Sequence, residues 1–506
     1  MSKKSLLLWV FILLKFGIQL FLIHPVFDLQ RDEYLHLDLA NHLAWGYTSV
    51  PPVTSWIAYL ILLLGNSLFW VKFFPALFGV LTLVVVWKTI EELKGGLFAL
   101  ILGATAVVFS IIFRINTLFQ PNSLDILCWT LLYYTLIKYV NTENRKWLWA
   151  LAVVFALGFL NKYSIAFLAV ALLPALLMTE HRQWFLNKNI YLAMGIALVL
   201  IAPNLYWQYQ HDFIVFKHME ELRNTQLLNV NRWDFMREQL LFFIGSLFIF
   251  IAAAYAFIFY PPFKKFRFIP LSTVITLSLF LYFRAKGYYA IGLYPILIAF
   301  GAVYLDHLLN HSWRIYLKPV AILIPLLLFI PAIKIVFPIF PPAEMVKKKA
   351  MYQKLGMLRW EDGKDHQLPQ DFADMLGWKE LAQKVDMAYA QLKDKKHTLI
   401  ICDNYGLAGA INYYSQHKEI AAVSFNADYK YWFNLKQEIK NVISVKTAHN
   451  EDLENRGDKT LFKNIVLKGK IENPYAREYG TCIFLMTEPK TSINTILKDR
   501  LVALEP

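Results

Sequence analysis

Apolar runs recur along this chain, centred on residues 6–23, 68–88, 97–113, 123–140, 147–160, 164–178, 190–206, 239–260, 268–283, 288–305 and 315–337. Each approaches the roughly 20 residues that a helix needs to cross the hydrocarbon layer of a bilayer. Inside lipid every backbone amide must be paired within the protein, which leaves helices and closed barrels, and continuous apolar runs of this length suit helices rather than the ~9–11-residue strands of a barrel. The expected fold is a polytopic α-helical membrane protein with about eleven transmembrane helices. Hydrophobic residues make up 57% of the chain and charged residues 17%, more apolar and less charged than soluble domains. The fifth and sixth runs are short and are split only by Asn161-Lys-Tyr-Ser164. The first run follows Lys3 and Lys4 with no small-residue cleavage site after it, which reads as an uncleaved helix.

The net charge of +14 could suggest nucleic acid, but no basic patch interleaved with aromatics is present, so no nucleic-acid partner is expected. The cations lie instead in alternate short loops. With the N-terminus inside, the inner loops hold Lys3/Lys4, Lys94, Arg145/Lys146, Arg182/Lys188, Lys264/Lys265/Arg267 and Arg314/Lys318. That distribution follows the positive-inside rule, and an odd number of spans puts everything after residue 338 outside. Cys128 lies within an apolar run. Cys402 and Cys482 could pair in an oxidising compartment, and the sequence does not decide it.

From Pro338-Ile-Phe-Pro-Pro342 the composition turns polar. This divides a transmembrane domain, 1–340, from a soluble domain, 341–506. Leu376, Leu381, Val385 and Ala388 recur at helical spacing and predict an amphipathic helix over 371–392. Short β-rich runs follow at 398–402, 421–425, 441–445, 464–468 and 482–486, so the soluble part reads as a small extracytoplasmic α/β domain.

Polar and aromatic residues not needed for orientation gather in the outer loops, above all in 28–56. From Arg31 to Trp45, the spacing of Leu35, Leu39 and Leu43 predicts one apolar stripe on an interfacial helix, with Gly46 as its stop. Asp32 and Glu33 open that helix. They could be an N-cap and a first-turn carboxylate answering the helix dipole, or they could carry chemistry, since acids held at a membrane surface are expensive. Asp32 with His36 and Asp38 with His42 are i, i+4 pairs on different faces, a weak pattern for a metal. No cofactor is called for, and a divalent metal stays open.

Arg31-Asp32-Glu33-Tyr34, then His42-Leu-Ala-Trp-Gly-Tyr47 and Pro51-Pro52, resemble the first outer loop of the bacterial GT-C glycosyltransferases related to protein O-mannosyltransferases and aminoarabinose transferases. Phe119-Gln-Pro-Asn-Ser-Leu-Asp-Ile-Leu-Cys-Trp129, Asn161-Lys-Tyr163, Ala202-Pro-Asn-Leu-Tyr-Trp207 and Ala285-Lys-Gly-Tyr-Tyr289 with Tyr294-Pro295 resemble later segments of that family, in the same order. The resemblance covers most of residues 25–310. Two positions depart from the family pattern: Ser49-Val50 precede the Pro-Pro pair where relatives often carry a charged residue or His, and Asn122 follows Pro121 where many relatives carry Asp, the acid here being Asp125.

The resemblance implies a GT-C fold and transfer of a sugar from a polyprenyl (undecaprenyl) phosphate donor to a hydroxyl on a lipid, glycan or protein acceptor. The expected place is the outer face of a bacterial inner membrane, with the N-terminus cytoplasmic and the C-terminal domain periplasmic. Asp32 matches the catalytic position as general base, with Glu33 orienting it or an acceptor. Asp125 either replaces the family's acid or orients a basic residue. The departing lipid phosphate needs cations, for which Lys162, Lys286, Arg284 and Arg31 are candidates; snorkelling to headgroups is the alternative for each. Tyr163, Tyr288 and Tyr289 of the matching motifs are further substrate-binding candidates. His211, in the long outer segment 207–237, would belong to an acceptor-side wall, or to an interfacial helix with an aromatic belt. Asp403-Asn-Tyr-Gly-Leu-Ala-Gly409 reads as a turn after a strand and is given no chemistry; Lys15 in the first span has no explanation. Two rival readings are a transporter or flippase for lipid-linked sugars, which would favour midplane sites between repeats, and an inactive relative whose soluble domain binds a partner.

Overall fold

The structure is a computed structural model that describes residues 2–19, 22–225 and 227–504. Contacts divide the chain into two units: Met1–Ile23 with Ala44–Gly46 and Val50–Ile339, and His24–Leu43 with Tyr47–Ser49 and Phe340–Pro506. The acidic stretch 28–43, which the sequence analysis placed within 1–340, thus groups with the C-terminal residues.

In the first unit every one of the predicted runs falls on helix. By length and apolarity, Leu68–Glu92, Lys188–Gln210, Gly287–Leu308 and Ser312–Val336 can each cross a membrane. Two bent pairs, Ile165–Leu177 with Glu180–Leu186 and Arg232–Leu241 with Ile244–Phe259, bring the number to six among the described residues if each pair is one span. The remaining runs form one helix of 21 residues, Asn122–Thr142, and helices of 12 to 17 residues. Leu97–Val108 has 12 residues, roughly 18 Å at 1.5 Å per residue and well under the ~30 Å hydrocarbon thickness. The run read from 97 to 113 breaks at Phe109 and resumes as Ile112–Ile115. One further apolar helix, Val53–Leu63, follows Pro51-Pro52 in the stretch read as an outer loop; at 11 residues it falls short of the length used to count spans.

Burial separates inner from outer helices. Gly287–Leu308 is 78% buried over its apolar window, while Ser312–Val336 is 17% buried, so the latter turns side chains such as Leu323, Leu327 and Leu328 outward. An apolar face of that extent is what a lipid-facing helix presents. Pro325 and Pro331 sit inside this helix, as transmembrane helices tolerate. Lys15, unexplained by sequence, points into the unit: it is fully buried, its Nζ donates to Asn116 Oδ1 at 2.9 Å, and it lies 4.5 Å over the Phe113 ring. The Gln19 amide donates to the Asn116 carbonyl from the same helix.

The second unit is built on a five-stranded sheet: β1 (Thr398–Cys402), β2 (Ala422–Ser424), β3 (Asn441–Lys446), β4 (Phe462–Lys470) and β5 (Cys482–Pro489), in the order β2-β1-β3-β5-β4. All five β-rich runs are strands. β1 pairs parallel with β2 and β3, and β5 runs antiparallel to β3 and β4. Parallel neighbours need a crossover, supplied between β1 and β2 by the helix Tyr405–Tyr414. All three cysteines are free thiols: β3 separates β1 from β5, so Cys402 and Cys482 stand about two strand spacings apart, roughly 10 Å, beyond disulfide reach.

Two predicted helices are corrected. The helix expected over 371–392 is two, Gln370–Ala373 and Trp378–Ala390, parted at Gly377, whose φ of +87° the helix spacing did not signal. The helix expected from Arg31 to Trp45 ends at Asp38, continues as one 3-10 turn, Leu39–Asn41, and stops at His42 rather than Gly46. Leu35 and Leu39 are buried but Leu43 is half exposed, so the stripe is not continuous. This short helix packs on Tyr405–Tyr414 at Gly409, where a Cβ would come within 2.8 Å of Tyr34 Cβ. Tyr34 itself is set among Trp378, Tyr413 and Tyr414, with ring centroids 5.6–6.0 Å away.

Candidate active site

In the second unit the chain enters the acidic helix along Asp374 and Met375: Asp28 N–H donates to the Met375 carbonyl at 2.7 Å and Arg31 N–H to the Asp374 carbonyl at 3.0 Å. The Asp28 carboxylate accepts from the N–H groups of Trp378 and Lys379 at the start of helix Trp378–Ala390 and pairs with Lys379 Nζ at 3.0 Å. It caps a helix 350 residues away in sequence, satisfying donors that a helix start leaves over.

The N-cap of helix Arg31–Asp38 is Gln30, not Asp32. Gln30 Oε1 accepts from Asp32 N–H at 2.9 Å and Glu33 Oε2 accepts from Gln30 N–H at 2.8 Å, which closes a capping box. Glu33 is fully buried in this role. Asp32 is partly exposed, and its Oδ1 accepts from the Tyr405 hydroxyl at 2.7 Å. Burial and the nearby Asp32 push the Tyr405 phenol well above its ordinary range, so it stays a donor. The Arg31 guanidinium lies 4.3 Å over the Tyr405 ring. Burial opposes its charge, but Tyr405, Asp374, Asp32 and Glu478 outweigh burial and hold it firmly cationic.

Tyr405 is positioned by the segment to which sequence reasoning gave no chemistry. Asp403 ties the turn to Thr447 N–H and to the Asn450 amide, and Asn404 caps the following helix through Leu407 N–H while donating to Glu478. Asp374, also missed, accepts from Arg477 at 3.1 Å and from Gln30 Nε2 at 3.4 Å. Burial raises its carboxyl to about 7 against the pull of Arg477 and Arg31. The signal available was an Asn-Tyr-Gly turn directly after a strand, a place where ligand-facing residues recur.

The two i, i+4 acid–histidine pairs do not form a metal site. Asp38 accepts from Tyr429 and Asn412, each at 2.6 Å, and burial raises it to about 6. His42 stacks on Trp432 at 4.0 Å. His36 is buried, its Nδ1 lacks a partner, and burial lowers it to about 4. Among the described residues no three His, Cys, Asp or Glu side chains gather as a metal would require.

In the first unit a second group forms around the helix start Asn122 and the turn after Asn161. Lys162 Nζ donates to Asn122 Oδ1 at 2.8 Å and sits 4.1 Å over the Tyr289 ring and 5.4 Å from that of Tyr288. Asp125 is buried, with one oxygen accepting from Trp129 Nε1 at 3.0 Å and the other from Ser164 Oγ at 2.8 Å. The oxygen that accepts from Ser164 ties Asp125 to the turn that carries Lys162, while the Trp129 bond stays within its own helix, Asn122–Thr142. Tyr163 donates to Asn204 at 3.1 Å and accepts from Gln208 at 3.0 Å, while Asn204 donates to the Trp45 carbonyl at 2.7 Å. Arg284, at φ +54°, donates to the Leu228 carbonyl at 3.1 Å and is not part of the Lys162 group. Lys286 is partly exposed at the start of the turn Gly287–Leu293 that carries Tyr288 and Tyr289. His211 stacks on Trp207 at 3.9 Å with Nδ1 2.8 Å from the Trp207 carbonyl, closing the helix Lys188–Gln210.

Residues 49–207 match the family described as dolichyl-phosphate-mannose-protein mannosyltransferase. The chain is similar to a lipid A galacturonosyltransferase, RgtD, of Rhizobium johnstonii, at 25% identity over 210 residues, 40% of this chain and 43% of that protein. It therefore spans less than half the length of this curated relative. The fold is similar to crystal structures of ArnT from Cupriavidus metallidurans, bound to undecaprenyl phosphate (TM-score 0.63, 14% identity) and in the apo state (0.59, 13%). Each likeness covers 95% of this chain and 97% of the other.

Proposed function

We propose that this chain is a GT-C glycosyltransferase of the ArnT and protein mannosyltransferase type, and that it moves one sugar from a polyprenyl phosphate, of the undecaprenyl class, to an acceptor hydroxyl on a lipid, glycan or protein. Asp32 is the general base that takes the hydroxyl proton as the acceptor oxygen attacks the anomeric carbon, and the lipid phosphate leaves as an anion. Lys162, braced on Tyr288 and Tyr289, receives that phosphate, with Lys286 as a further cation. Arg31 balances the charge beside Asp32.

The observation that carries this reading is the division of labour between adjacent acids. Glu33 is consumed by a capping box, whereas Asp32 is partly exposed and oriented by a phenol. A base must reach a substrate proton, and a fully buried capping residue does not. Asp125, with both oxygens engaged, orients the Lys162 turn. The reaction takes place at the outer face of a bacterial inner membrane crossed about eleven times, the N-terminus inside and the C-terminal unit outside, as the cation distribution supports. Mass spectrometry of surface glycolipids and glycoproteins with and without the gene tests the proposal: loss of one sugar from one product class is expected. An unchanged profile, with labelled lipid-linked sugar crossing vesicles untransferred, would leave a flippase instead.

A further inference from the structure

Helix Tyr294–Leu308 begins beside the turn that carries Tyr288 and Tyr289 and reaches, 13 residues and roughly 20 Å later, a cavity that no part of sugar transfer uses. The cavity measures about 230 Å³ and its wall includes Tyr255, Tyr260, Tyr304, His307, His311 and Arg314. We propose that it binds the phosphate headgroup of an anionic membrane phospholipid, at the end of the transmembrane unit opposite Lys162.

The wall is made of donors and rings without a carboxylate. Tyr304 packs on Tyr255 and Tyr260 at 5.6 and 5.5 Å, and His307 on Tyr260 at 5.0 Å. These fix the phenols and imidazoles around one hollow. Arg314 has no ion pair with any described carboxylate; the nearby acid, Asp306, is taken by Lys318 at 2.9 Å and by Gly96 N–H at 2.8 Å. A guanidinium left without an acid, with tyrosine hydroxyls and imidazole N–H groups beside it, suits a phosphate diester, which takes several charge-assisted hydrogen bonds at once. The volume exceeds the ~30 Å³ of a water several times but falls below the ~300–1,000 Å³ of drug-sized sites, the scale of a headgroup.

A lipid rather than a free anion is favoured by what flanks the hollow. Trp313 and Tyr316 are 65% and 79% exposed, as interfacial belt residues are. They lead into helix Leu317–Val336, whose exposed Val320, Leu323 and Leu327 offer a path for acyl chains. Basic pockets between transmembrane helices recognise anionic headgroups in this way.

Native mass spectrometry of the full chain in detergent, titrated separately with phosphatidylglycerol and phosphatidylcholine, tests the site. Phosphatidylglycerol should be retained in preference to phosphatidylcholine, Arg314→Gln should weaken that retention roughly tenfold or more, and His311→Gln should weaken it less. Lys162→Met should leave it unchanged. Equal retention of both lipids, unaltered retention in Arg314→Gln and His311→Gln, or loss only in Lys162→Met would overturn the assignment. Displacement of phosphatidylglycerol by millimolar inorganic phosphate would overturn the lipid source.

Discussion

The Tyr405 hydroxyl donates to Asp32 Oδ1 at 2.7 Å across 373 residues of sequence, so the carboxylate proposed as base is aimed by a phenol from a helix after the first parallel strand. Hydrogen bonds to a charged group contribute about 1.5–3 kcal/mol. Tyr405→Phe should therefore lower kcat about tenfold or more while leaving the KM for the lipid-linked donor nearly unchanged, because the ring under Arg31 is kept. Equal kcat in Tyr405→Phe and wild type, measured as sugar transfer in vesicles, would remove the phenol from the reaction.

Glu33 predicts the opposite split. Glutamine can still accept the Gln30 N–H in a capping box, so Glu33→Gln should retain transfer within a few-fold. Glu33→Ala should lose stability by about 0.5–2 kcal/mol, as cap removals do, read as a lower thermal midpoint. Abolished transfer in a folded Glu33→Gln protein would put Glu33 into the chemistry.

Lys162 is a compact cation between an amide oxygen and an aromatic face. Cation–π contacts contribute ~0.5–2 kcal/mol and the phosphate contact adds to that, so Lys162→Met should reduce kcat/KM for the donor by about tenfold to a hundredfold. Lys162→Arg should recover only part, since a planar fork does not occupy the site of an ammonium. Full activity of Lys162→Met would place the phosphate elsewhere.

Asp38 and Asp374 make the second unit sensitive to pH. Their folded values, about 6 and about 7, lie above the ~3.9 of an unfolded aspartate. The folded state therefore binds more protons between those limits, and the stability contributed is full below about pH 4 and lost as pH rises through 6 to 7. The thermal midpoint of the full chain should fall over that window, and Asp38→Asn should fall less steeply. A slope unchanged by Asp38→Asn would contradict the assignment.

What was legible in the sequence had local periodicity or local composition behind it. The apolar runs and all five strands were read from such signals. The break at Gly377 goes with one backbone angle, a φ of +87°, and the acidic helix gives way after Asp38 to a 3-10 turn; the spacing of apolar residues signals neither. Asp32 was picked out by its motif, but its partner Tyr405 could not be, because the pairing exists only once the loop after β1 is folded against residue 31. Lys15 needed Asn116, 101 residues away, before its burial made sense.

The most direct measurement is transfer of a labelled sugar from polyprenyl phosphate by the purified full chain in vesicles, with Asp32→Asn beside wild type. The amide is isosteric and can still accept from Tyr405 but cannot take a proton, so transfer should fall by the 10²–10⁴ that a general base contributes, with the thermal midpoint and donor binding retained. Wild-type turnover in Asp32→Asn would contradict the account.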